Sequence, residues 1–507
     1  MKIYKYLLVT AFAILMTSCS LKEDRVSVTD PEDYFRNYSE CQSVLNGCYM
    51  PLNSMYNATF FVVTEGVSDL MYLEGSNMSD AYLDFSPSTP RYGATAWDQG
   101  YLGVSRCNYA VWGIENAPEG ALTESQKNEL LCEAKALRGF YYLYLTNMFG
   151  DIPFYFQPVL TMEDQDEISS LGRMPASETR DSIILDLLEI APLAPQTRTS
   201  DNKGARAGAA LAYMIIAKCA MWNAAEDPAY WETALDALAA IELIYKDFST
   251  YDYKYNVLFR NKNTPESIFE IQHIYQAGGI EYYSNLAPRC IPTPMKIIDE
   301  KPYFDGVLIE ELGINANVNK VIHPNKYFVG KQPRGGSDIR ANVNMAWGYG
   351  GKDFKNATID KPYLGPKFWC PNIQYNMDGN NYKVFRYADA ILMKAECLHA
   401  TTQYKDALKY VNKTRTRAGL TDYTDTNPDK LIEEIRIERA KELFGEFQRK
   451  FDLVRWGVFY DKVKETQDYS GIKDAIMPCH RYYPIPDSEV AKSKYILDNK
   501  EYEEYGF

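Results

Sequence analysis

Histidine is scarce: the 507-residue chain has four, at 273, 323, 399 and 480. None stands in a nucleophile-elbow or comparable signature, so the sequence offers no basis for a histidine-dependent nucleophilic triad. Ten cysteines are scattered without a C-x-x-C pair, which removes the usual marks of a zinc site or a dithiol redox centre. Positive charge is short as well: 54 Lys and Arg face 68 Asp and Glu, a formal net charge of -14. Nucleic acid and anionic headgroups are held chiefly through phosphate neutralisation by basic residues, so polyanions are poor partners for this surface. After residue 16 no apolar run approaches the length needed to cross a bilayer.

What is abundant is tyrosine, 41 residues against 22 Phe and 7 Trp. Its flat apolar face and hydroxyl suit the C–H faces and hydroxyl rims of sugars, although a buried ring ordinarily serves packing. Hydrophobic residues at 46% and charged residues at 24% describe a globular chain, long enough for one large domain or two or three smaller ones.

The first eighteen residues read as a signal peptide, with Lys2 and Lys5, an apolar run from Leu7 to Met16, and small Thr17 and Ser18. Met16-Thr17-Ser18-Cys19 resembles a lipobox, with Met16 where Leu is usual. The resemblance implies that Cys19 is the mature, lipidated N-terminus, several acyl chains holding a membrane where one does not. Ser20 to Asp24 resembles the surface-export signal of Bacteroidetes lipoproteins. Cys41 and Cys48 lie two helical turns apart and read as small buried hydrophobes. Nine cysteines remain after Cys19, an odd number that argues against a full disulfide framework.

Helical periodicity dominates the rest and predicts a mostly α fold. Leu130, Ala134, Leu137, Tyr141, Tyr144 and Met148 advance by three or four, a stripe ended by Gly150 and Pro153, with Asp181 to Ile190 as its partner helix. Tyr387 to Leu420 reads as a helix-turn-helix pair of tetratricopeptide type, with Ala395 and Leu398 facing Ala407 and Val411. Ala209 to Ile244 reads similarly through Ala217 and Ala234, with a longer turn. Residues 59–90 and 261–382 are rich in Gly, Pro, Asn and aromatics without helical period. They are expected to be long irregular insertions with a few short strands, where a rigid scaffold usually carries binding.

Taken in order, several motifs accumulate. Trp97-x-x-x-Tyr101 leads to Arg106-x-Asn108, and Glu133 to Arg138 runs on to Phe149-Gly150-Asp151-Ile152-Pro153. Gly204-x-Arg206-Ala207 and Arg386-Tyr387-Ala388-Asp389 open the two helix pairs. Then come Asn412-x-x-Arg415-x-Arg417-Ala418-Gly419-Leu420, Glu438-Arg439, Asp452-Leu453 and Arg455-Trp456-Gly457. In this order and spacing the chain resembles the SusD/RagB nutrient-binding family over nearly its whole mature length. The resemblance implies a tetratricopeptide-like scaffold, a lipid anchor in the outer membrane, no catalysis and no cofactor. It also implies oligosaccharide or peptide as ligand and a TonB-dependent transporter of SusC type as partner. The expected division is signal peptide 1–18, tether 19–30, an N-terminal region 31–260, and a C-terminal region 261–507 holding the insertion 261–382 and the helix pair 387–420.

Glu438, Glu442 and Glu446 recur every four residues and would repel on one helical face unless cations meet them, with Arg415, Arg417, Arg439 and Arg449 as the local candidates. They read as an ion-pair network, because carboxylates on one helix cannot flank a glycosidic bond from two sides. Ligand-binding residues are expected in the irregular segments: rings from Tyr72, Tyr82, Tyr282, Tyr283, Trp347 and Tyr349, with Asp69, Glu74, Asn77, Arg340 and Asn344 as hydrogen-bonding partners. Trp97 is expected in the core. No metal site is expected, although Asp299-Glu300 is an acidic pair that calcium chemistry would tolerate. Two rival functions are a surface glycoside hydrolase and a tetratricopeptide scaffold that binds only proteins.

Overall fold

The computed structural model describes residues 34–73, 79–202, 206–246, 248, 255–274, 284, 286–293, 295–316, 318, 322–371, 373–375 and 377–507. The signal peptide, Cys19, the tether, Glu74, Asn77, Tyr282 and Tyr283 lie outside them.

The N-terminal half is built round one helix. Helices α1 (Tyr38–Met55), α2 (Tyr92–Glu115), α3 (Glu124–Phe149) and α4 (Ala176–Ile190) come first in the chain. Helix α3 begins at a capping box, where the Thr123 hydroxyl accepts from the Gln126 backbone and the Gln126 side chain accepts from the Thr123 N–H. It stops at Gly150, whose φ of 73° breaks the helix. The sequence predicted one apolar stripe with one partner. Instead every residue from Leu130 to Phe149 is buried, because α1, α2, α4 and a further helix, α5 (Ala209–Asn223), all pack against it.

Two buried phenols on this helix find carbonyl acceptors. The Tyr141 hydroxyl donates to the Cys48 carbonyl at 2.5 Å and the Tyr142 hydroxyl to that of Tyr155 at 2.5 Å. Gly103 on α2 makes room for the Tyr141 ring, which a Cβ there would meet at 2.4 Å. Trp97 is core, as expected, its ring 5.1 Å from Phe149. Cys41 and Cys48 are buried, and all nine cysteines from Cys41 onward are free thiols.

Both expected helix pairs form. Helix α5 pairs with α6 (Tyr230–Tyr245), and α7 (Tyr387–Ala400) with α8 (Tyr404–Arg417). Ala217, Ala234, Ala395 and Ala407 are fully buried at the crossings, where a larger side chain would hold the helices apart. Helix α6 packs on α7, so the pairs stack as in a tetratricopeptide array, and α9 (Pro428–Glu442) closes over α7 and α8. Helix α10 (Arg449–Arg455) follows.

The insertions are irregular, with a local exception. The first, expected to be irregular from residue 59, instead opens as helix, Ala58–Phe61 running into a π-turn at Val62–Gly66. Strand β1 (Met71–Leu73) then pairs antiparallel with Ile322–Pro324. In the second insertion β2 (Ser267–Ile271) pairs antiparallel with Tyr382–Arg386, and the latter runs straight into α7. Strands β3 (Met295–Ile298) and β4 (Lys301–Phe304) form a hairpin. Asp299 and Glu300 are its two-residue turn, with φ of 49° and 59°, the positive-φ turn that matches strand twist. Among the described residues no helix is long and apolar enough to cross a membrane.

Candidate ligand-binding face

Beneath the insertions lies an ionic layer built on the end of α9. Arg340 donates to Glu438 at 2.7 Å, to Glu442 at 2.9 Å and to Asp338 at 2.9 Å. Arg386, where the β2 partner strand becomes α7, donates to Glu266 at 2.8 Å, Glu442 at 2.7 Å and Glu446 at 2.7 Å. Arg417 bridges Glu266 and Glu442, and Lys367 meets Glu446 at 2.6 Å. Burial alone would push the Glu442 carboxyl up. Arg417, Arg386 and Arg340 more than reverse that and hold it well below the usual carboxylate range. Burial pushes the Lys367 ammonium down to about 8, with Glu446 opposing.

The expected network therefore exists with mostly different cations. Of the four local candidates only Arg417 reaches these carboxylates; Arg415 pairs with Glu434, Arg439 with Asp389 and Asp452, and Arg449 with Asp69. Nor is Glu446 on the same helix, since α9 ends at Glu442 and the chain turns at Gly445. Glu438 and Glu442 are wholly buried, Glu446 is nearly so, and all are engaged by cations, which leaves none free to exchange protons with a ligand.

This layer corrects several expectations about the site. Arg340 is fully buried and its guanidinium is saturated by carboxylates, so it is a core ion and not a ligand contact. Asn344 is also fully buried, donating to Gln332 at 3.0 Å and to the Lys441 carbonyl at 2.8 Å. Asp69 is held by two 2.7 Å contacts from Arg449. Trp347 is buried, its indole N–H donating to the Ile359 carbonyl at 3.0 Å. Tyr72 is buried too and stacks on His323 at 5.2 Å. Tyr82 is half-buried against Tyr469, with ring centroids 5.4 Å apart.

Tyr349 is different. Half-buried, it lies against the buried Trp369 with centroids 5.4 Å apart, and its hydroxyl donates to Glu311 at 3.0 Å. Arg260 donates to the same Glu311 oxygen at 2.9 Å and to the Trp369 carbonyl at 3.3 Å. Burial, reinforced by the Glu311 carboxylate, raises the Tyr349 phenol and keeps it a hydrogen-bond donor. Asn315, four residues on, donates to Gln374 at 3.4 Å and accepts at its carbonyl from the Tyr375 N–H at 2.8 Å. The Tyr375 ring is 63% exposed. Tyr349 is thus tied to Glu311 by its side chain and Tyr375 to Asn315 by its backbone, two rings open to solvent in part or in full with planar polar side chains beside them, groups able to stack on a sugar and bond to its hydroxyls.

Sequence reading singled out Tyr349 and missed Tyr375, Glu311, Arg260 and Asn315. Their linkage comes from chain segments far apart in sequence, and no local signal announces it. A separate wide groove of about 750 Å³ follows α8, lined by Leu408, Asn412, Lys413 and Tyr423 among others.

Comparison with known proteins fits this architecture. A family model described as "SusD family" matches residues 339–502, and one described as "Starch-binding associating with outer membrane" matches residues 23–220. SusD-like protein P25 of Formosa agariphila is 24% identical, over 98% of this chain and 97% of that one. A SusD homolog from Bacteroides thetaiotaomicron superposes with a TM-score of 0.75 at 19% identity, covering 93% of this chain and 98% of that one. Surface glycan-binding protein A from Bacteroides thetaiotaomicron, in complex with laminarihexaose, superposes with a TM-score of 0.68 at 20% identity, covering 92% and 99%. At these identities the superpositions speak to fold, and the matching models supply the lineage: the chain belongs to the SusD/RagB family.

Proposed function

We propose that the protein is a lipid-anchored, surface-exposed glycan-binding protein of the outer membrane. It captures oligosaccharide without cleaving it and passes it to a TonB-dependent transporter of SusC type. The anchor would be Cys19. The observation that carries the reading is the accessible strip of Tyr349, Glu311, Asn315 and Tyr375, on a fold shared with a protein solved in complex with laminarihexaose. Glu74, Asn77, Tyr282 and Tyr283, outside the described residues, stay candidate ligand contacts in this reading, as does Tyr82. The absence of cleavage is supported by the ionic layer, whose carboxylates are occupied by cations and shielded from water.

Calorimetric titration with a panel of neutral oligosaccharides tests capture, and an assay for new reducing ends tests the absence of cleavage. Tyr349→Ala and Tyr375→Ala should each weaken binding by about tenfold, the loss of a stacking face. Turnover of any panel member would refute the non-catalytic reading. Binding that is unchanged in both variants would move the site away from this strip.

A further inference from the structure

A second pocket, of about 130 Å³, opens among α9, α10, the short helix Lys326–Lys331 and the helix Phe459–Thr466. Its lining is basic in a chain whose formal net charge is -14. Lys331, Arg436, Arg449 and Lys462 line it, against a single acid, Glu433. Only Arg449 is fully occupied, by Asp69. Arg436 meets Glu433 at 3.2 Å and Lys462 meets Glu465 at 3.3 Å, but those acids are 62% and 71% exposed, and water-facing pairs of this kind hold weakly. Lys331 makes no ion pair among the described residues; it lies over the Tyr327 ring at 5.3 Å. The Arg436 Nε is buried and has no acceptor, a donor whose unmet state is costly.

The walls are aromatic and fixed. Trp456 is tied through its indole N–H to Glu396 at 2.8 Å. The Arg436 and Arg449 guanidinium groups lie over it at 4.9 and 5.3 Å. Tyr327 carries the Lys462 ammonium at 4.5 Å. Cations cover the ring faces, so the pocket does not offer a stacking surface. It offers four clustered cations whose charge is only partly met, with the Arg436 Nε lacking an acceptor.

We propose that this pocket is a subsite for an oxyanion, a carboxylate or sulfate ester, carried by a sugar. The pocket is small enough to read one charged substituent and too small for a chain of sugars. It rests on the glycan-binding reading above and adds a place for a charged substituent, which Glu311 on the Tyr349 strip would repel and the cations here would hold.

Calorimetry at low ionic strength with glucuronate, glucose 6-sulfate and glucose separates the possibilities. The charged sugars should bind and glucose should not; whichever anion binds identifies the group. Arg436→Gln and Lys331→Gln should weaken that binding by about tenfold each, the loss of a charge-assisted hydrogen bond, without lowering the melting temperature. Equal behaviour of charged and neutral sugars, or indifference to Arg436→Gln, overturns the proposal. If neutral oligosaccharides bind and the charged monosaccharides do not, this subsite fails and the capture function stands. If the charged monosaccharides bind and lose affinity in Arg436→Gln while no neutral oligosaccharide binds, the subsite stands and the Tyr349 strip fails.

Discussion

Helices α3 and α9 are both buried, with different balances of apolar and ionic contact. On α3 most interior positions are apolar or aromatic, Leu137, Phe140, Tyr141 and their neighbours, and the fit rests mainly on shape and on apolar area removed from water; its few buried charges, Glu133, Lys135 and Arg138, are met by Arg206 and Asp186. On α9 the fully buried positions include Glu438 and Glu442, with Arg439 at 2% exposure. There each charge is removed from water at a cost that only well-placed counter-charges offset. The first kind of contact tolerates any medium that keeps oil from water. The second depends on every partner being present and correctly ionised.

The largest expected effect follows from that dependence. Glu442→Gln leaves Arg340, Arg386 and Arg417 without their shared carboxylate and should cost about 3–5 kcal/mol at pH 7 in urea unfolding. The cost should shrink in acid. Burial raises the Asp389 and Glu396 carboxyls, but Lys218 and Arg439 hold the first at about 2 and Arg455 holds the second at about 2. Glu442 is depressed in the same sense. A carboxyl whose folded value lies below its unfolded one contributes fully above the unfolded value, near 4, and loses that contribution as pH falls through the folded one. The difference between wild type and Glu442→Gln should therefore narrow steadily below about pH 4. Leu137→Ala on α3 should cost about 2–4 kcal/mol from transfer and cavity terms, with the same cost at pH 3 as at pH 7. A Glu442→Gln penalty that is flat with pH would erase the distinction between the two helices.

The two kinds of burial also differ in how far sequence reveals them. Apolar recurrence every three or four residues, with Gly150 and Pro153 behind it, announces α3 before any coordinate is known. The alanines at 217, 234, 395 and 407 announce the stacked pairs. Periodicity does not say how many sides of a helix are covered, so a stripe was expected where α3 is surrounded. For α9 the carboxylates are legible but their partners are not: Arg340 and Arg386 come from 98 and 56 residues away. The nearby Arg415, Arg439 and Arg449 are spent on Glu434, Asp389 and Asp69. The same limit governs the ligand face. Trp347 and Tyr349 stand two apart in one Gly-rich segment, yet one is buried and the other half open, a difference set by tertiary packing.

A third position sharpens the comparison from the other side. Lys450 on α10 is 1% exposed, with its ammonium 5.3 Å from the Phe459 ring and 5.2 Å from that of Tyr483. It makes no ion pair among the described residues. Burial pushes it down to about 7, against the pull of Asp80. A lysine with a lowered folded value destabilises wherever it is charged in both states, so the penalty is full below about pH 7 and fades toward pH 10. Lys450→Met should raise stability by about 1–3 kcal/mol at pH 6, with little gain at pH 10. Melting curves at the two pH values decide it: loss of stability at pH 6 would mean that the ammonium is a needed partner after all.

The smallest effect concerns where α3 starts. Its buried stretch begins at Leu130, while Glu124 to Glu129 are exposed or half-buried. That first turn and a half has little packing to hold it and depends on the reciprocal Thr123 and Gln126 bonds, at 3.3 and 2.9 Å. Thr123→Ala should cost about 1 kcal/mol. Because the remainder is clamped on all sides, the loss should appear as faster amide exchange confined to the residues before Leu130. Exchange that quickens along the whole helix would mean that the cap sets the register of α3 against its neighbours, and that apolar burial alone does not fix it.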